Sequence, residues 1–117
     1  MSIVCNEPVA DSAKYMRRYR EMWKEMQGSR PIGRIGLVRT IVVGDSDRQA
    51  NDVAGRAFAV HNRSFTFLHR RFGVQPKLSG TDPTFEGHAA GGRGIAGEPS
   101  RVADYLAREM AETGSDY

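Results

Sequence analysis

Three features of the sequence predict an α/β fold. Residues 35–43, Ile35-Gly36-Leu37-Val38-Arg39-Thr40-Ile41-Val42-Val43, form a β-branched and almost continuously apolar run. Such a run suits a strand buried on both faces, as in a parallel sheet covered by helices. On either side, apolar residues recur every three or four positions, the period of an amphipathic helix. Punctuation separates these segments: Gly28 and Pro31 before the strand, Asp45-Ser46-Asp47 after it.

The elements follow in order. Ile3 and Val4 are the tail of a strand or a loose end. Residues 9–27 read as an amphipathic helix, with 12–27 its predicted span, because Ala13, Met16, Tyr19, Trp23 and Met26 share a core-packed stripe. Asp11 or Ser12 suits its first regular turn, and Gly28 stops it. Arg39 interrupts the strand, so it must pair, snorkel or face a polar cavity. A barrel interior near an active site and an ordinary salt bridge both meet that need. Ser46 and Gln49 match a capping box for a helix near 47–71. Its stripe is Ala50, Val53, Ala54, Ala57, His61, Phe65, Leu68 and Phe72, with a break expected at 62–64 because the run is long. His61 reads as a core histidine and His69 as a surface or rim residue. Neither has a partner at ligand spacing, so no metal site is expected. Residues 73–94, rich in Gly and Pro, read as an irregular loop of the kind that forms lids, and 74–94 as the least ordered internal segment. His88 and Glu86 lie in it, and a solvent-exposed histidine is the expectation. A last helix over 99–112 starts with Pro99 and buries Val102, Leu106 and Met110, with Gly114 as its stop.

Composition narrows the function. The 117 residues suffice for one modest domain. Seventeen basic and 14 acidic residues are interleaved for a net charge of +3, with no long basic run. Arg17, Arg18, Arg20 and the pair Arg70, Arg71 read as solvated helix faces, so no nucleic-acid partner is expected. Cys5 is the only cysteine, which fits a reducing compartment. No apolar run has spanning length and no secretory signal is visible, so the expectation is a cytoplasmic protein with no membrane partner.

Gly92-Arg93-Gly94-Ile95-Ala96-Gly97 matches the dinucleotide fingerprint letter by letter. Its context does not: 84–91 is not a credible strand, and the helix begins after the motif. A weaker expectation survives, in which backbone amides near Gly97 at the helix start meet an anion with Arg93 nearby. No nucleophile elbow appears, and Cys5 has no evident basic partner. That silence suits an enzyme whose chemistry is carried by a cofactor.

Three stretches in order resemble the luciferase-like, flavin-dependent monooxygenases. They are Tyr15-Met16-Arg17-Arg18-Tyr19-Arg20-Glu21-Met22-Trp23, then 35–47 from Ile35 to Asp47 with the following Ala50, then Gly94-Ile95-Ala96-Gly97-Glu98-Pro99-Ser100-Arg101-Val102-Ala103. Residues 59–68 resemble one oxidoreductase subgroup. Glu98 departs from the small hydroxyl residue usual before this proline, and an acid there opposes phosphate binding. The resemblance implies the C-terminal fragment of a TIM (β/α)8 barrel of the bacterial luciferase-like type. Residues 1–117 are then one partial domain with an irregular loop at 73–94. It implies FMN or a deazaflavin as cofactor and a small organic substrate in the intact protein. A full barrel takes about 250 residues, and most flavin contacts in this family come from earlier strands. The chain alone is therefore expected to be inactive and to self-associate or join a partner chain that supplies the missing strands. The alternative is a non-catalytic structural or interaction fragment. No catalytic residue is assigned. Arg39, Arg93 and Gly97 are the cofactor-site candidates, and Arg39 and the 73–94 loop match late-barrel positions on the substrate side.

Overall fold

The computed structural model describes residues 3–74 and 82–116. Its elements are β1 (Ile3–Cys5), α1 (Val9–Gln27), β2 (Ile35–Leu37), β3 (Thr40–Val43), α2 (Asp47–Phe65), α3 (Phe67–Arg71), α4 (Phe85–Ala90), β4 (Gly94–Gly97) and α5 (Pro99–Thr113). They form two compact units, Met1–Arg39 with Ala103–Tyr117, and Thr40–Val102. Each unit holds one pair of parallel strands, and among the described residues neither pair closes into a ring.

In the first unit β1 pairs with β2, Ile3 opposite Ile35 and Cys5 opposite Leu37. A parallel pair needs a crossover, which α1 provides. The helix covers the range read from the sequence, Val9–Gln27, but its N-cap is Pro8 and not Asp11 or Ser12. Ser12 does not cap it: its buried hydroxyl donates to the Glu7 carbonyl at 2.9 Å. Met16 and Ile35 form the core, with Tyr19 and Leu37 against them. The predicted stripe holds as far as Trp23, whose indole donates to the Arg30 carbonyl at 2.9 Å, while Met26 is exposed. Gly28 takes φ 60°, a left-handed conformation that ends the helix.

The predicted single strand over 35–43 is two strands, broken at Val38 and Arg39. There Arg39 turns its guanidinium to Glu109 and its own neighbour's carbonyl, Val38. On α5 the buried line is accordingly Val102, Glu109 and Thr113, with Tyr105 and Leu106 half-buried, and Met110 is exposed rather than buried. A carboxylate occupies the inner face because a cation meets it there.

In the second unit β3 pairs with β4, Thr40 opposite Gly94 through Val43 opposite Gly97. Gly94 allows the close approach, since a Cβ there would sit 2.6 Å from the Thr40 carbonyl oxygen. Ala50, Ala54, Phe58, Phe85 and Ala96 are the core, with Val42 and Ala89 packed on it. Two of its elements lie where the sequence predicts irregular chain at 73–94: α4, and the first residue of β4. Thr84 nucleates α4 by accepting the Gly87 amide at 3.1 Å, and Asp82 holds Thr84 through its amide and hydroxyl. Residues 75–81 of that predicted loop lie outside the described residues.

The helix predicted over 47–71 breaks at Thr66, not at 62–64. Thr66 turns its hydroxyl onto the Asn62 carbonyl at 2.6 Å. Of the predicted stripe only Ala50 and Ala54 are buried, and Val53, Ala57, His61, Phe65, Leu68 and Phe72 are exposed. Length explains the far end. The four residues of β3 span roughly 13 Å and the 19 of α2 roughly 28 Å, so the helix outruns the strands it covers. Among the described residues no helix is long and apolar enough to cross a membrane.

Candidate functional site

In α/β folds, ligands bind outside the carboxyl ends of parallel strands. At that end of the second unit, β3 runs through Gly44-Asp45-Ser46 into α2, and β4 runs through Glu98 into α5. Ser46 accepts the Gln49 amide at 3.2 Å, and Gln49 Oε1 reaches back to the Asp45 amide at 2.8 Å. This reciprocal pair fixes the start of α2. Gly44 donates its amide to the Gly97 carbonyl at 3.1 Å, which joins the two strand ends.

Asp47 sits across both helix starts. One carboxylate oxygen accepts the Glu98 amide at 3.0 Å, and the other accepts from Arg101 Nη1 at 2.5 Å. The Glu98 amide, and after it the Arg101 guanidinium, hold the Asp47 carboxyl below the ordinary aspartate value of 3.8. Gly97 is needed beneath this bridge: a Cβ there would fall 2.7 Å from Asp47 Oδ1 and 2.9 Å from Arg101 Cδ. A larger residue would displace the carboxylate.

The anion expected at Gly97 and the start of α5 is thus supplied by the chain itself, and the cation beside it is Arg101, not Arg93. Arg93 precedes β4 at the strand's other end, where its carbonyl accepts the Thr40 amide at 3.1 Å. Nothing local in the sequence signals the Asp47–Arg101 pair, whose members lie 54 residues apart. Arg39 is in the first unit, where its side chain and that of Glu109 are 1% and 3% exposed and 2.5 Å apart. Of the two readings of this arginine, the salt bridge describes its surroundings. The three candidates, Arg39, Arg93 and Gly97, do not converge.

The histidines are also rearranged. His88, expected in a solvated loop, is half-buried. Its ring lies 4.6 Å from that of Phe58, and its Nε2 lies 3.1 Å from the Thr40 hydroxyl. His61, expected in the core, is exposed and stacks on Phe65 at 5.8 Å. Among the described residues no three His, Cys, Asp or Glu side chains converge as metal ligands do. An open cleft of about 560 Å³ lies between α2 and residues 83–86, and Asp52 and Glu86 give it an acidic rim.

These residues do not by themselves fit an FMN phosphate. The Glu98 amide is engaged by Asp47, and Asp45, Asp47 and Glu98 place negative charge where a phosphate would approach. The acidic cleft opposes it in the same way. Comparisons of the chain with protein-family models, curated proteins and solved structures return no match.

The Asp47 bridge has a pH signature. A depressed carboxyl value stabilises the fold above the pH where an unfolded aspartate ionises, and that contribution is lost as pH falls through the depressed value. Asp47→Asn is expected to flatten the loss of stability between about pH 5 and pH 2. Urea midpoints across that range check it, and an unchanged acid limb would contradict it.

Proposed function

We propose that this chain is one portion of a cytoplasmic flavin-dependent monooxygenase or related oxidoreductase that acts on a small organic substrate. In this reading it supplies late β–α–β crossovers of a (β/α)8 barrel, and strands outside the chain supply the flavin site. One observation carries the reading. On β3, Val42 packs toward the helical layer, whereas Ile41 and Val43 on the opposite face are 40% and 54% exposed. Parallel sheets normally have both faces covered. In a barrel the second face is covered by side chains from the other strands.

The bare face also supports a second reading, a non-catalytic fragment that assembles with another chain. It favours that reading because the chain's own strand-end residues do not fit the flavin phosphate. One experiment separates the two. The purified chain is titrated with oxidised and reduced FMN and with a deazaflavin, alongside its mass in solution. The expected result is no binding by the chain alone, self-association, and micromolar flavin binding once a chain bearing the earlier barrel strands is added. Assembly without flavin binding favours the second reading. Stoichiometric binding by a monomer would overturn both.

A further inference from the structure

We infer that α3 and the end of α2 dock on an anionic lipid surface. Between Asp52 and Asp82 the sequence has no acidic residue, although the chain has 14 in all. The described part of this stretch carries Arg56, Arg63, Arg70 and Arg71, and among the described residues no carboxylate pairs with them. The same stretch exposes large apolar side chains. Phe65, Leu68 and Phe72, at spacings of four, then three and four through His61 onward, share one stripe, with Leu68 59% and Phe72 72% exposed. Phe67 and Val74 are exposed as well.

An occupant of this surface must provide both an apolar medium and negative charge. A bilayer with anionic headgroups provides both, the acyl boundary for the phenyl rings and Leu68, the phosphates for the guanidinium groups. A second copy of the chain would bring like charge against like. A nucleic acid would match the arginines but leave Leu68 and Val74 in water. The expectation of no membrane partner rested on spanning length, which does not bear on a helix lying in the interface plane. The inference is independent of the flavin reading, because it concerns the helices and not the bare strand face.

The test is co-sedimentation of the full chain with vesicles of phosphatidylcholine alone and of phosphatidylcholine and phosphatidylglycerol in equal parts. Binding to the anionic vesicles is expected, weakened by salt, with partition into neutral vesicles at least about tenfold lower. The double variant R70Q/R71Q is expected to bind roughly twentyfold more weakly. The triple variant F65S/L68S/F72S is expected to lose binding while its far-ultraviolet dichroism is unchanged, since these side chains are already exposed. Absence of binding to anionic vesicles would overturn the proposal. So would a triple variant that binds like the parent, or binding to a single-stranded oligonucleotide in place of vesicles.

Discussion

Arg39→Ala is expected to lower the unfolding free energy by about 3–5 kcal/mol, the usual effect of stranding one member of a buried ion pair. Glu109, whose carboxylate is 3% exposed, would be left buried without its partner. Tyr105 reports the same environment. Its phenol is pushed up to about 12, first by burial and then by the Glu109 carboxylate. Urea denaturation of Arg39→Ala and Glu109→Ala measures the loss. The double variant Arg39→Met/Glu109→Leu is the control. It removes both charges together and is expected to recover most of the stability, because the net worth of a buried pair over an apolar substitute is small. A single-variant loss below about 1 kcal/mol would mean that the pair is solvated, as exposed pairs are.

Phe58→Ala is expected to destabilise the second unit by about 3–5 kcal/mol. Phe58 joins α2 to α4: its ring meets Phe85 edge-on at 6.0 Å and His88 at 4.6 Å. Truncation leaves a cavity that a helix of six residues is poorly placed to refill. Phe58→Leu keeps most of the volume and is expected to cost less than about 1.5 kcal/mol. Thermal denaturation gives the ranking, and equal losses for the two variants would contradict the packing argument.

The legible parts of this chain were those set by local pattern. Capping chemistry at Ser46 and Gln49, the stop at Gly28 and the start at Pro99 follow from residues a few positions apart, and the structure has them. Patterning misled where a helix extends past its sheet. Phe65, Leu68 and Phe72 keep the period of a buried stripe, but the strands beneath are too short to reach them. It misled again at α4, because Gly and Pro around 80–92 masked the cap at Thr84. The candidate site was least legible. Asp47 with Arg101 and Arg39 with Glu109 are pairings across 54 and 70 residues. Arg39 inside an apolar run signals the need for a partner, but Glu109, Asp47 and Arg101 look like surface charges, and only the fold shows which meet.

Ile35 and Asp116 exchange two hydrogen bonds, the Ile35 amide to an Asp116 carboxylate oxygen at 2.8 Å and the Asp116 amide to the Ile35 carbonyl at 2.9 Å. They close a loop across 81 positions, whereas the second unit is drawn from one uninterrupted stretch, Thr40–Val102. During synthesis, which runs from the N-terminus, every residue of that inner stretch has been made before Asp116 exists. The first unit is made partly before that stretch and partly after it, so Met16 and Ile35 lack their full enclosure while the ribosome builds the other unit to completion.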